Sequence, residues 1–353
     1  MTRKAFITES DVRALAADLI AAGTRVVAPG RVGTPLGERI EYRVANKVDE
    51  ILLGQDEPAR SLKDFFLPPT DVILAWQEKK DQVELTPVSS TFAPQVIIGA
   101  KPCDAAALEI VDKVMDWDYH DELWFGRRAA TTIITLACEG GDRSCFCTAV
   151  GLEPSGTRGS DVLLTPAAGG YSAEILTDKG EKLVAAHAVR FGADKGADEA
   201  RAFAEKGRKR VDANLGLKPA EVRKWLAGHF DDAFWKSIAL ACHGCGACAS
   251  VCPTCHCFDI VDECEGLGCG VRRRNWDTCQ TAKFTMHGSG HNPRADQSSR
   301  MRQRVMHKFC IYPERFGEIL CTGCGRCARV CPGGMDILEV VSKVNEMACG
   351  GAK

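Results

Sequence analysis

The chain reads as an α+β protein in two parts. Residues 1–215 form an N-terminal α/β domain with a mixed sheet, and residues 216–353 form an all-helical C-terminal domain built around cysteine loops. Three observations predict this. Short β-branched runs alternate with helical stretches through the first part. The 19 cysteines are divided unevenly, with four before residue 190 and fifteen between residues 242 and 349. Between the two groups lies GADKGADEARAFAEKGRKRVDANL, a charged, alanine-rich stretch that reads as a solvated helix or linker.

Taken in order, SDVRALAADLIAAG has apolar residues at helical spacing, Ser10 as its expected cap and Gly23 as its stop. RVVA, RIEYRV and DVILAW read as strands, and DVLLT with YSAEILT as a hairpin. In the middle, QVIIGA leads into KPCDAAALEIVDKVM, read as strand, short loop, Asp104 as cap, and a helix turning Leu108, Ile110, Val111 and Val114 inward. TTIITLAC is then a second buried strand. Such a β-α-β crossover makes the two strands parallel. It also places Cys103 and Cys138 just past the carboxyl ends of strands, where open α/β sheets build their sites. KPAEVRKWLAGHF opens the second part as a helix with proline at its start.

With 45% hydrophobic and 26% charged residues, the composition is that of a folded protein of about two domains. A formal net charge of −2 gives no general attraction to nucleic acid or anionic lipid. No stretch approaches the roughly 20 apolar residues of a membrane span, and Met1 to Ile20 lacks the pattern of a signal peptide. A cytoplasmic location is therefore expected, and in a reducing compartment clustered cysteines are metal ligands before they are disulfides.

CHGCGACASVCP places Cys242, Cys245, Cys248 and Cys252 in the order C-x-x-C-x-x-C-x-x-x-C-P, and CTGCGRCARVCP repeats it with Cys321, Cys324, Cys327 and Cys331. In this pattern the first three thiolates hold one [4Fe–4S] cube and the fourth reaches across to the other. Cys242, Cys245, Cys248 and Cys331 are thus assigned to one cluster, and Cys321, Cys324, Cys327 and Cys252 to its neighbour. The second part becomes a dicluster ferredoxin domain. Glycines at 244, 246, 323 and 325 permit the tight loops. Zinc also uses C-x-x-C pairs, but needs only two of them for one tetrahedral site. Arg326 and Arg329 lie inside the second run, either as positive charge favouring the reduced form of that cluster or as solvent-facing side chains.

Residues 253–320 separate the runs, and here the order of PTCHCFDIVDE, RRRNWDTCQ, FTMHGSGHNPR and RMRQRVMHKF resembles the β subunits of sulfhydrogenase-type NiFe hydrogenases and the A subunits of anaerobic sulfite reductases. GAKPCDAAAL, YHDELWFGRR and CEGGDRSCFC extend the resemblance into the first part. It implies an electron-transfer subunit of a hetero-oligomeric complex. Its partners would be a flavoprotein subunit that handles NAD(P)H and a terminal hydrogenase, sulfite reductase or heterodisulfide-reductase-like subunit. The chain itself has no G-x-G-x-x-G after a strand and no G-x-x-x-x-G-K-[ST] loop. An alternative reading is an enzyme subunit that reduces a sulfur compound at its own iron–sulfur site.

Cys103, Cys138, Cys145 and Cys147 make a complete set in the first part, read either as ligands of a third [4Fe–4S] cluster, which the polar loop of Cys145 and Cys147 favours, or with Cys103 and Cys138 as small buried apolar residues at strand ends. Cys255, Cys257, Cys279 and Cys310 also number four, as a further cluster or as thiols packed around the first two. Cys264 and Cys269 are additions to the family pattern whose role is left open, and Cys349 is read as idle. His256, His287, His291 and His307 are candidate metal ligands or loop-ordering residues. Arg272 to Arg274 and RMRQRVMHKF are read as a docking face for an acidic partner or as a solvated face.

Overall fold

The computed structural model describes residues 3–212 and 216–350, so the expected boundary near residue 215 lies outside the described residues. The first part opens with β1 (Arg3–Ile7), α1 (Glu9–Ala21), β2 (Arg25–Thr34) and β3 (Gly37–Val44). Then come β4 (Thr70–Lys79), β5 (Gln82–Pro87), β6 (Gln95–Ala100), α2 (Pro102–Met115), α3 (Glu122–Ala130) and β7 (Thr131–Leu136). It closes with β8 (Val162–Ala167), β9 (Gly170–Ile175), α4 (Asp178–Ala186) and α5 (Ala197–Asp212).

Seven of these strands form one mixed sheet in the order β1-β9-β8-β7-β6-β2-β3. Its centre is parallel: β2 pairs β6, β6 pairs β7 and β7 pairs β8. The outer pairs are antiparallel. Alternation along the central strands explains their unbroken apolar runs, because both faces are covered. Val96, Ile98, Ile134 and Leu136 join Leu15 and Leu19 of α1 on one face. Ile97 and Ile133 join Leu108 and Val111 of α2 and Trp124 of α3 on the other.

Two caps differ from expectation. Thr8, not Ser10, caps α1, its Oγ1 accepting from Asp11 N at 3.0 Å. Asp104 lies inside the first turn of α2, after Lys101 at the cap and Pro102. There its buried carboxylate takes a different partner, Arg326, described below.

The second part is helical around its loops: α6 (Pro219–Gly228), α7 (Phe234–Ala239), α8 (Ala247–Ser250), α9 (Gln297–Met306), α10 (Tyr312–Phe316), α11 (Arg326–Arg329) and α12 (Ile337–Ala348). Leu226, Trp235, Val305, Phe309, Val341 and Val344 centre its core. One element departs from the all-helical expectation. β10 (Phe258–Gly266) and β11 (Cys269–Trp276) form a hairpin, and β11 pairs with β4 of the first part, Thr70 opposite Asn275 and Gln77 opposite Cys269. The resulting four-stranded antiparallel sheet, β10-β11-β4-β5, stitches the two parts together. Phe146 of the first part, 1% exposed, is buried in the helical core from the other side.

At the start of α9, Asp296 Oδ1 accepts from Ser299 N at 2.8 Å. Hydrogen bonds from Ser298 and then Ser299 hold its carboxyl well below the ordinary 3.8. A depressed carboxyl stabilises the fold above its unfolded value and loses that contribution as pH falls below it. Asp296→Ala is expected to cost about 1 kcal/mol at neutral pH. The gap from wild type should shrink below pH 3.8, as urea melts across that range would reveal.

Candidate metal centres

The two ferredoxin runs fold as loops that only glycine accommodates. Gly244, Gly246, Gly323 and Gly325 have φ of 68°, 75°, 63° and 74°, and the last of each pair caps a one-turn helix, α8 or α11. These loops bring together the cysteines that the spacing paired. Cys242, Cys245, Cys248 and Cys331 line one cavity, here site one. Cys321, Cys324, Cys327 and Cys252 line a second, site two. The residue before each proline therefore crosses to the other run. Gln297 Nε2 donates to Cys242 Sγ at 3.1 Å, Met335 N to Cys331 Sγ at 3.3 Å and Gly323 N to Cys321 Sγ at 3.4 Å.

Cys103, Cys138, Cys145 and Cys147 also meet, around a third cavity of 330 Å³ that Cys324 and Arg329 help to wall. Three close approaches build it. A Cβ on Gly141 would stand 2.4 Å from Cys145 Sγ, one on Gly323 would stand 2.6 Å from Cys147 N, and one on Gly207 of α5 would stand 2.9 Å from Cys138 O. The stretch read as a solvated helix or linker is a helix, α5, and it closes this site. Phe146 N donates to Gly323 O at 2.8 Å, which ties the third site to the second loop.

The donor chemistry fits iron–sulfur clusters in all three places. Each has four soft cysteine sulfurs, and among the described residues no three His, Cys, Asp or Glu side chains converge closely enough for a single metal ion. Burial pushes the thiols up, Cys145 to about 11 and Cys147 and Cys321 to about 12. A bound cation is what would make them thiolates.

Inside the second run, Arg329 Nη1 reaches Cys145 Sγ at 3.9 Å beside the third cavity, but both arginines of that run are matched by carboxylates. Arg326, 2% exposed, donates twice to Asp104 at 2.7 Å and through Nε to Pro58 O at 2.8 Å, so its charge is matched. Arg329 pairs with Asp142 at 2.9 Å and with Glu57. At sites one and two the cations without a carboxylate partner come from RMRQRVMHKF. Arg304 lines site one and site two together, and Lys308 Nζ donates to Cys252 Sγ at 3.5 Å. Burial pulls both cations down, but the surrounding thiolates, Cys248 foremost for Arg304 and Cys252 for Lys308, outweigh it and hold each above its ordinary value. This segment is neither a docking face nor a solvated one. Of Arg272 to Arg274, only Arg274 is buried, paired with Asp71 and Asp121, while Arg272 and Arg273 pair with Asp262, Glu263 and Glu265 on the exposed strand β10.

Of the remaining cysteines, Cys310 lies in the helical core, away from Cys255, Cys257 and Cys279, so that quartet does not assemble. Cys255 donates its S–H to Cys252, which lowers Cys252 and raises Cys255. Cys264 on β10 and Cys349 after α12 are exposed. His287 and His291 order their own loop, the N–H of His287 donating to the carbonyl of His291 at 2.8 Å. No helix among the described residues is long and apolar enough to cross a membrane.

Comparison with known proteins agrees with this geometry. Residues 241–335, which span both cysteine runs, match the family described as a 4Fe-4S dicluster domain. The F420-reducing [NiFe] hydrogenase complex of Methanosarcina barkeri matches with a TM-score of 0.37 and 11% identity over 64% of this chain and 92% of that one, too distant to carry an argument. Sulfhydrogenase 2 subunit beta of Pyrococcus furiosus is 30% identical over 323 residues, covering 90% of this chain and 93% of its own. With that identity along nearly the whole length of both chains, and with the dicluster runs in the same chain, this protein belongs to the sulfhydrogenase β-subunit family.

Proposed function

We propose that this chain is an electron relay with three [4Fe–4S] clusters. Cys242, Cys245, Cys248 and Cys331 hold the first, Cys321, Cys324, Cys327 and Cys252 the second, and Cys103, Cys138, Cys145 and Cys147 the third. The division at residue 215 belongs to this proposal, with one cluster before it and two after. When bound, the clusters supply one-electron chemistry, which suits a flavin partner that takes a hydride pair and releases it singly.

The observation that carries the reading is contiguity. Arg304 lines the first and second sites, and Cys324 lines the second and third, so the three form an unbroken row. The surrounding residues have three tasks: they exclude water by burial, aim N–H donors at sulfur, and supply matched positive charge. The partners are a flavoprotein that handles NAD(P)H and a terminal hydrogenase-type or sulfur-reducing subunit, in a hetero-oligomeric complex.

Cys147→Ala should lower the iron content of the anoxically isolated chain by about four atoms and leave the other two clusters in place. Unchanged iron in that variant would remove the third cluster from the account. The relay itself is tested by turnover: the chain alone should not couple NAD(P)H oxidation to sulfite, polysulfide or viologen reduction, whereas the complex that co-purifies with it anoxically should. Turnover by the chain alone would make it an enzyme in its own right.

A further inference from the structure

We propose that Cys255, Cys257, Cys279 and His307 hold a further iron–sulfur cluster beside site two, apart from the three clusters above. All four residues line one small cavity, closed by Arg304, Lys308 and Leu320. Their positions follow from the chain. Cys255 and Cys257 stand two apart in the non-helical stretch that leads into β10, and Cys279 comes from the turn after β11. The hairpin, paired with β4, thus brings Cys279 back to them. Cys257 and Cys279 are hydrogen-bonded to each other, and Gln280 Nε2 donates to Cys279 Sγ at 3.6 Å.

The fourth donor comes from a rare element. His307 is the first residue of a π-helical turn, His307–Ile311, that joins α9 to α10. Single π turns inside helical segments concentrate at functional sites, because the extra residue re-aims side chains. Here the turn directs Lys308 at Cys252 and its neighbour His307 at the cysteine triad. His256 packs edge-on against His307, with rings 5.6 Å apart, and its Nδ1 is engaged with Thr254 O at 3.0 Å. His256 lines the same cavity, but with its Nδ1 engaged by Thr254 O it is assigned a supporting place beside His307 and not that of a ligand.

Charge is compatible with the same assignment. Arg304 is 6% exposed, lines this cavity, and its Nε and Nη2 find no hydrogen-bond partner among the described residues. A buried guanidinium with open donors is costly unless an anionic group faces it. Sites one and two face Arg304 with such groups, and three thiolates around inorganic sulfide would extend that anionic surround to this cavity. A lone ion is less suited, since no three donors among the described residues converge on a point.

The test uses the full chain isolated without oxygen, with iron, acid-labile sulfide and zinc measured per chain in wild type, Cys279→Ala, Cys310→Ala and His307→Cys. Cys279→Ala should lose about four irons and as many sulfides, a loss additive with that of Cys147→Ala, while Cys310→Ala loses none. Full iron and sulfide in Cys279→Ala, or loss of zinc in their place, overturns the proposal. His307→Cys should keep its iron but lose the imidazole-nitrogen coupling that pulsed EPR detects in the reduced wild type. If Cys279→Ala fails to fold, this second variant decides: absence of that coupling in wild type, or its persistence in His307→Cys, overturns the proposal.

Discussion

Asp104→Asn is expected to cost the chain about 3 to 5 kcal/mol of stability, as breaking a buried ion pair does. Asp104 has no exposed surface and Arg326 has 2%, and two hydrogen bonds of 2.7 Å join them across the two parts of the chain. Tyr42 Oη adds a third, donating to Asp104 at 2.8 Å. The amide keeps the shape but leaves the guanidinium buried with its charge reduced to a half-match from Glu57 at 3.5 Å. Urea unfolding of the reconstituted chain measures the loss. By contrast, Arg3→Ala, which removes the half-exposed pair with Glu181, should change stability by no more than about 0.5 kcal/mol. The pair has a functional side as well. Asp104 follows Cys103 of the third site and Arg326 precedes Cys327 of site two, so the bridge fixes how these two sites stand to each other.

Arg304→Gln should lower the reduction potentials of the first and second clusters together, by something on the order of 100 mV. Reduction adds negative charge, and a buried cation favours the more negative form. Arg304 borders both sites and is not neutralised by a carboxylate, whereas Arg326 is. Of the two dicluster sites, Lys308→Met should move site two and leave site one, because Lys308 touches Cys252 and lines only that one of the pair. A potentiometric titration followed by EPR distinguishes these outcomes. Equal potentials in Arg304→Gln and wild type would show that this charge does not tune the row, and a larger fall in Arg326→Gln than in Arg304→Gln would return that role to the second run.

Local spacing was the most legible feature of the sequence. Two four-cysteine runs with glycine at the turning positions carry their geometry within a dozen residues each, and the crossing of Cys252 and Cys331 follows from the same pattern. The third site was legible less directly, through the crossover from β6 to β7 that puts Cys103 and Cys138 at adjacent strand ends. The hairpin of β10 and β11 was hidden because β10 is almost wholly exposed and its acidic residues, Asp259, Asp262, Glu263 and Glu265, break any alternation of apolar ones. Its pairing with β4 is a long-range event with no local signal. The buried cations were hidden for a related reason. Arg304 and Lys308 stand four apart among other basic residues, which reads as a surface stripe until the thiolates facing them are known. Cys310 entered the expected quartet on count alone, and the π turn that carries it points it into the helical core while aiming His307 elsewhere. Thr8 displaced Ser10 as a cap because helix starts are set by backbone geometry within a residue or two, which composition does not resolve.

The central claim is that thiolate quartets in a continuous row hold iron–sulfur cubes, and its most direct test is iron and acid-labile sulfide per chain in anoxically purified protein. The account predicts the two in equal number, at least about twelve of each. Protein that folds with zinc in the cysteine sites and no labile sulfide would contradict it.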